Sequence, residues 1–95
     1  MRKYVWETPE EINMEVAKRM KTLRKRVKLS RKKLGEACGV SYSSIKRFEE
    51  TGNISLLSLT KMAIALDAEG DIKKLFSEVP YRSIQETSYE KSTID

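Results

Sequence analysis

Histidine is absent from this 95-residue sequence, and cysteine occurs once, as Cys38. The first absence removes the imidazole bases that activate nucleophiles, and the two together leave no ordinary zinc ligand set. No metal and no cofactor is therefore expected, and the chain reads as a non-enzyme. A lone cysteine cannot close an intramolecular disulfide. Cys38 falls at an apolar helix position, where a thiol acts as a small hydrophobe, and a reducing cytoplasm fits it. No apolar run approaches the roughly 20 residues that a membrane span requires, and the first residues lack the apolar segment of a signal peptide. No membrane association is expected.

Acidic residues are also missing from one long stretch. Between Ala17 and Gly35 there are ten Lys or Arg and no Asp or Glu. The formal net charge is +5, but residues 1–66 hold 15 basic against 7 acidic side chains and residues 67–95 hold 4 against 7. Such a basic run is either a solvated helical face or a surface that meets phosphates. The length gives one small domain with a core large enough to fold alone.

The chain is organised around residues 30–50, Ser-Arg-Lys-Lys-Leu-Gly-Glu-Ala-Cys-Gly-Val-Ser-Tyr-Ser-Ser-Ile-Lys-Arg-Phe-Glu-Glu. Ser30 is a helix cap, and Leu34, Ala37 and Cys38 follow at the spacing of one helical face. Gly39 ends that helix because glycine enters the left-handed region without steric cost, and Val40 plugs the space beside it. Ser41 caps a second helix that turns Ile45 and Phe48 inward. Tyr42, Ser43, Lys46 and Arg47 are left on its outer face with no structural duty. Two short helices meeting at a tight turn form a helix-turn-helix.

Around this motif, residues 1–7 read as an arm that either packs Val5 and Trp6 on the body or carries Arg2 and Lys3 toward an anionic partner. Thr8-Pro9-Glu10-Glu11 is a capping box with proline at the first helical position. A first helix is predicted over Pro9–Val27 with Ile12, Val16, Met20, Leu23 and Val27 buried. Ser55 caps a fourth helix whose inward stripe is Leu56, Leu59, Met62, Ala63 and Leu66. Leu57 and Ile64 lie off that stripe and mark a second apolar face, covered either by another copy or by the chain's own C-terminal segment. Ile72, Leu75 and Phe76 are expected to close the core from a short fifth helix. The domain is predicted over residues 8–77, and residues 78–95 form a tail, partly disordered.

The ordered set of Leu-Ser before helix 2, Gly35, Gly-Val-Ser at the turn, Arg-Phe-Glu ending helix 3 and Ser-Leu-Leu-Ser-Leu opening helix 4 resembles the Xre/Cro family of bacterial and phage repressors. The resemblance covers residues 16–76 and implies an all-α, five-helix repressor-like DNA-binding domain with the helix-turn-helix at helices 2 and 3. It implies base contacts from Tyr42, Ser43, Lys46 and Arg47, with phosphate contacts from Arg31, Lys32, Ser41, Ser44 and Lys25. For Arg47 the alternative is an ion pair with Glu50 or Glu49, its helix neighbours. The resemblance further implies that Arg24 pairs with Glu49. At Arg31-Lys32-Lys33 the sequence departs from the family's Gln and acidic residues. Three cations at a helix N-terminus oppose the macrodipole at about 0.3–1 kcal/mol each, a cost that a bound phosphate offsets.

The implied partner is double-stranded DNA, read by a homodimer on a palindromic operator in the role of a transcriptional regulator that represses by occlusion. The dimer interface is expected at Leu57, Ile64 and Tyr81, with Val79 and Ile84 adding to it. Arg-Phe-Glu followed by Ile-Ser-Leu-Leu-Ser-Leu also resembles antitoxins that bind both operator DNA and a kinase-type toxin. A third alternative is a helical adaptor that binds only protein.

Overall fold

The computed structural model describes residues 6–78. Within them the chain is all-helical, with five helices: α1 (Pro9–Arg26), α2 (Arg31–Cys38), α3 (Tyr42–Thr51), α4 (Leu56–Ala65) and α5 (Glu69–Lys74). The Arg2, Lys3, Val5, Val79, Tyr81 and Ile84 expectations lie outside the described residues.

Each of the first four helices starts where a side-chain oxygen captures an otherwise unpaired backbone N–H. Thr8 and Glu11 form the reciprocal pair, Glu11 N donating to Thr8 Oγ1 at 3.1 Å and Thr8 N to Glu11 Oε1 at 2.9 Å. Ser30, Ser41 and Ser55 accept from Lys33, Ser44 and Ser58 in the same way. α2 and α3 stop at glycines in the left-handed region, Gly39 at φ 78° and Gly52 at φ 83°.

α1 and α4 end without glycine. Lys28 (φ 60°) and Asp67 (φ 60°) take the left-handed conformation instead. After α1, Lys28 N donates to Lys25 O at 3.0 Å and Leu29 N to Arg24 O at 3.1 Å. That paired closure is a Schellman ending. It stops the helix at Arg26, one residue short of the predicted Val27.

α1 packs on α3, α2 packs on both α3 and α4, and α5 packs on α4. The core between them is Ala17, Met20, Leu34, Val40, Ile45, Phe48, Met62, Ala63 and Leu66. Gly35 sits at the α2–α3 crossing, where an added Cβ would come within 2.6 Å of Val40 O. Gly52 lies against the backbone of α1, its Cβ direction 3.0 Å from Asn13.

Several positions depart from the predicted burial. Ile12, Val27, Ala37 and Leu56 are exposed, whereas Ala17, absent from the predicted stripe, is fully buried. Ile12 lies in the first turn of α1 and Val27 is its C-cap, so both ends of that apolar stripe stay in solvent. Only Ile72 of the fifth helix packs on the core. Leu75 is exposed and Phe76 is 92% exposed, because α5 ends at Lys74 and the next residues turn away. Trp6 does not pack on the body either and is 76% exposed.

Candidate nucleic-acid interface

The turn between α2 and α3 joins the C-terminus of α2 directly to the N-terminus of α3. Gly39 reverses the chain, Val40 is buried behind it, and Ser41 opens α3. Ile45, Phe48 and Glu49 turn inward, while Tyr42, Ser43, Ser44, Lys46, Arg47 and Glu50 stay exposed. The inward set at steps of three and four fixes which side of α3 remains free.

On that free side Tyr42 keeps half its surface in solvent, and Lys46 and Arg47 project one turn further along. Neither Glu49 nor Glu50 forms an ion pair with Arg47 among the described residues. Arg47 instead borders a shallow depression with Ser44, Asn53, Ile54, Ser55 and Ser58. Ser41 Oγ donates to Ser44 Oγ at 2.9 Å and lies 3.3 Å from Ser43 Oγ. Three hydroxyls thus cluster at the start of the helix, a group of donors and acceptors that suits a phosphate or a base edge. Asn53, Ser55 and Ser58 carry no signal in the sequence beyond their role in a turn and a cap, and only the fold brings them beside Arg47.

Behind the face lies a charged group. Arg24 donates through Nε to Glu49 Oε2 at 2.7 Å and through Nη2 to Glu49 Oε1 at 2.9 Å. Its remaining terminal nitrogen, Nη1, donates to Leu29 O at 2.8 Å, tying the α1–α2 connection to the pair. Arg31, the first residue of α2, donates through Nε to the same Glu49 Oε1 at 2.9 Å. One carboxylate therefore holds two guanidinium groups. Burial would push the Glu49 carboxyl up, but the hydrogen bonds from Arg24 and Arg31 outweigh it and hold it below its ordinary value. The hydrogen bond that Arg31 donates to Glu49, with a second to the Tyr42 side chain, raises the pKa of Arg31 further above its already high value.

The second arginine on Glu49 is not legible in the sequence. Arg31 and Glu49 are 18 residues apart and share no periodicity, so only the α2–α3 packing joins them. Lys25 and Lys32 are exposed on α1 and α2, on the basic run that continues toward this face.

The family described as Helix-turn-helix matches the chain over residues 20–72. That span begins at Met20, includes Arg24, Arg31 and Glu49, takes in all of α2, α3 and α4, and ends at Ile72. No curated protein and no solved structure matches the chain.

Proposed function

The chain belongs to the helix-turn-helix family of Xre/Cro type, whose members are DNA-binding transcriptional regulators, and from that premise we propose that it is a repressor acting as a homodimer on a palindromic operator. The observation that carries this reading is the outer face of α3. Tyr42, Ser43, Lys46 and Arg47 are exposed there in a row, whereas the opposite side of the same helix is buried. A helix so presented enters the major groove, where Arg47 reads guanine O6 and N7 and Tyr42 meets a thymine methyl. Arg31, Lys32, Ser41, Ser44 and Lys25 then face backbone phosphates on either side.

Repression follows from occlusion of a promoter by a dimer covering two half-sites. The protein would act in the cytoplasm, where Cys38 stays reduced. Selection of bound sequences from random duplexes tests the reading. A palindromic consensus supports it, and salt-independent or absent binding would leave only the protein-binding adaptor.

The exposed Leu57 and Ile64 on α4 favour a protein contact and so keep the antitoxin reading in play. Mass measurement separates the two. A symmetric dimer in the purified protein supports the repressor, while a monomer that copurifies with a kinase-like protein supports the antitoxin.

A further inference from the structure

We infer that Glu49 is a positioning residue for DNA affinity, holding Arg31 as a preset phosphate clamp while Arg24 keeps that clamp positively charged. The inference rests on the DNA-binding reading of this face and goes beyond it by giving an inward-facing acid a part in binding.

A carboxylate with a single arginine neutralises it, and an arginine so neutralised attracts a phosphate weakly. Here Arg24 already satisfies Glu49 with two hydrogen bonds, at 2.7 and 2.9 Å. Arg31 joins the same carboxylate as a second cation. The three side chains together carry one uncompensated positive charge. The Glu49 side chain is fully out of solvent and Arg24 is nearly so, while Arg31 retains 25% of its side-chain exposure. The surplus charge therefore reaches solvent through Arg31.

Glu49 takes the Nε–H of Arg31, and a guanidinium is a rigid plane with its donors in a fixed fork. Fixing one donor of the fork sets the direction of the terminal nitrogens. A free arginine on a helix N-terminus must give up rotamer freedom to grip a phosphate, and this one has already given up much of it in the unbound protein. The position of Arg31 at the start of α2, next to the two cations Lys32 and Lys33, places that fork at the end of the basic run.

Glu49 is negative, so on charge alone its removal should tighten binding to a polyanion. If it acts by positioning Arg31, removal should loosen it. The experiment uses the full chain and a random-sequence duplex, since phosphate contacts do not depend on sequence. Affinity is measured over a salt series for wild type, Glu49→Gln, Arg31→Gln and the double variant, with thermal melts showing that each is folded at the assay temperature. Glu49→Gln is expected to bind about tenfold more weakly than wild type, and the double variant no more weakly than Arg31→Gln alone. Binding by Glu49→Gln as tight as wild type or tighter overturns the inference, as does a double variant that loses both factors in full.

Should Glu49→Gln not be folded, Arg31→Lys carries the test, because it keeps the charge and loses the fork held by Glu49. About a tenfold loss is expected there too, and wild-type affinity would overturn the proposal. Absence of salt-dependent binding by the wild type would overturn the DNA reading itself, and with it this one. Wild-type binding with an unharmed Glu49 variant overturns only the positioning role.

Discussion

Arg24 and Glu49 close a two-point contact across the domain, Nε to Oε2 at 2.7 Å and Nη2 to Oε1 at 2.9 Å, joining the last turn of α1 to the last turn of α3. Both residues are buried, and every buried side-chain polar atom among the described residues has a partner. Both anchors lie at the C-terminal end of α3: Glu49 ties its last turn to Arg24, and Gly52, just past it, closely approaches Asn13 of α1.

Removing the acid strands two cations. Glu49→Ala should destabilise the fold by about 3–5 kcal/mol, the range seen when one partner of a buried ion pair is deleted. Urea unfolding followed by circular dichroism measures it. A loss below about 1 kcal/mol would mean that solvent compensates both arginines and that the pair has little structural weight.

The same carboxylate sets an acid limb of stability. Its pKa in the folded protein lies below the ordinary value of 4.5, so the folded state favours the ionised form. The contribution is therefore fully present above that ordinary value and is lost as pH falls through the lower folded value. Stability of the wild type should decline below about pH 4.5, and Glu49→Gln should show a flatter decline over the same interval. Parallel acid limbs in the two proteins would assign the decline to other carboxylates.

Helix limits were nearly all legible in the sequence because caps are local chemistry. Ser30, Ser41 and Ser55, with Gly39, mark their boundaries in the four or five residues around them. The end of α1 was not marked in this way, since Lys28 adopts a conformation that usually signals glycine. Burial was less legible. Periodicity ranks large apolar residues first and places Ile12, Val27 and Leu56 inside, whereas all three are exposed and the small Ala17 is fully buried. Within the site, the outer residues of α3 could be picked out because the inner ones follow a helical period. The attachment of Arg31 to Glu49 depends on tertiary packing and left no trace in the spacing.

Lys28 offers a test of that hidden helix ending. Its backbone is left-handed at φ 60°, a region that costs a residue with a Cβ about 1–2 kcal/mol relative to the right-handed one. Lys28→Gly relieves this while admitting more freedom in the unfolded chain, so a net gain of about 0.5–1 kcal/mol in unfolding free energy is expected. Unchanged or lowered stability would show that the lysine side chain offsets the backbone cost.

Gly35 and Gly39 should respond differently to alanine. Gly39 has nothing within 4 Å of an added Cβ but sits at φ 78°, so Gly39→Ala should cost about 1 kcal/mol from conformation alone. Gly35 is helical and conformationally at ease, but its Cβ would meet the Val40 carbonyl oxygen at 2.6 Å, a backbone atom that moves only if α2 and α3 separate. Gly35→Ala should therefore cost more, about 1–3 kcal/mol, and disturb the angle between the two helices. Chemical denaturation of both variants decides the order, and the reverse ranking would contradict the tight crossing.

A single recognition helix contacts too few base pairs to select one operator among the competing sites of a genome, and proteins built this way place two such helices about one DNA turn apart. A two-fold contact between copies sets that spacing, and it must be apolar enough to persist and lie clear of the DNA face. Leu57 and Ile64 meet the first condition on α4, 66% and 59% exposed and two turns apart on one side of the helix. Neighbouring Lys61 is exposed between them, giving the patch a charged border. Replacing both with glutamate would set four like charges across a symmetric interface. The wild type is expected to weigh as a dimer by light scattering, at least when bound to its operator, and the double variant as a monomer with weakened operator binding. Its fold should be unaffected, since neither side chain enters the core, and an unchanged thermal melt would show this. A wild type that is monomeric both free and on DNA would remove the dimer from the mechanism.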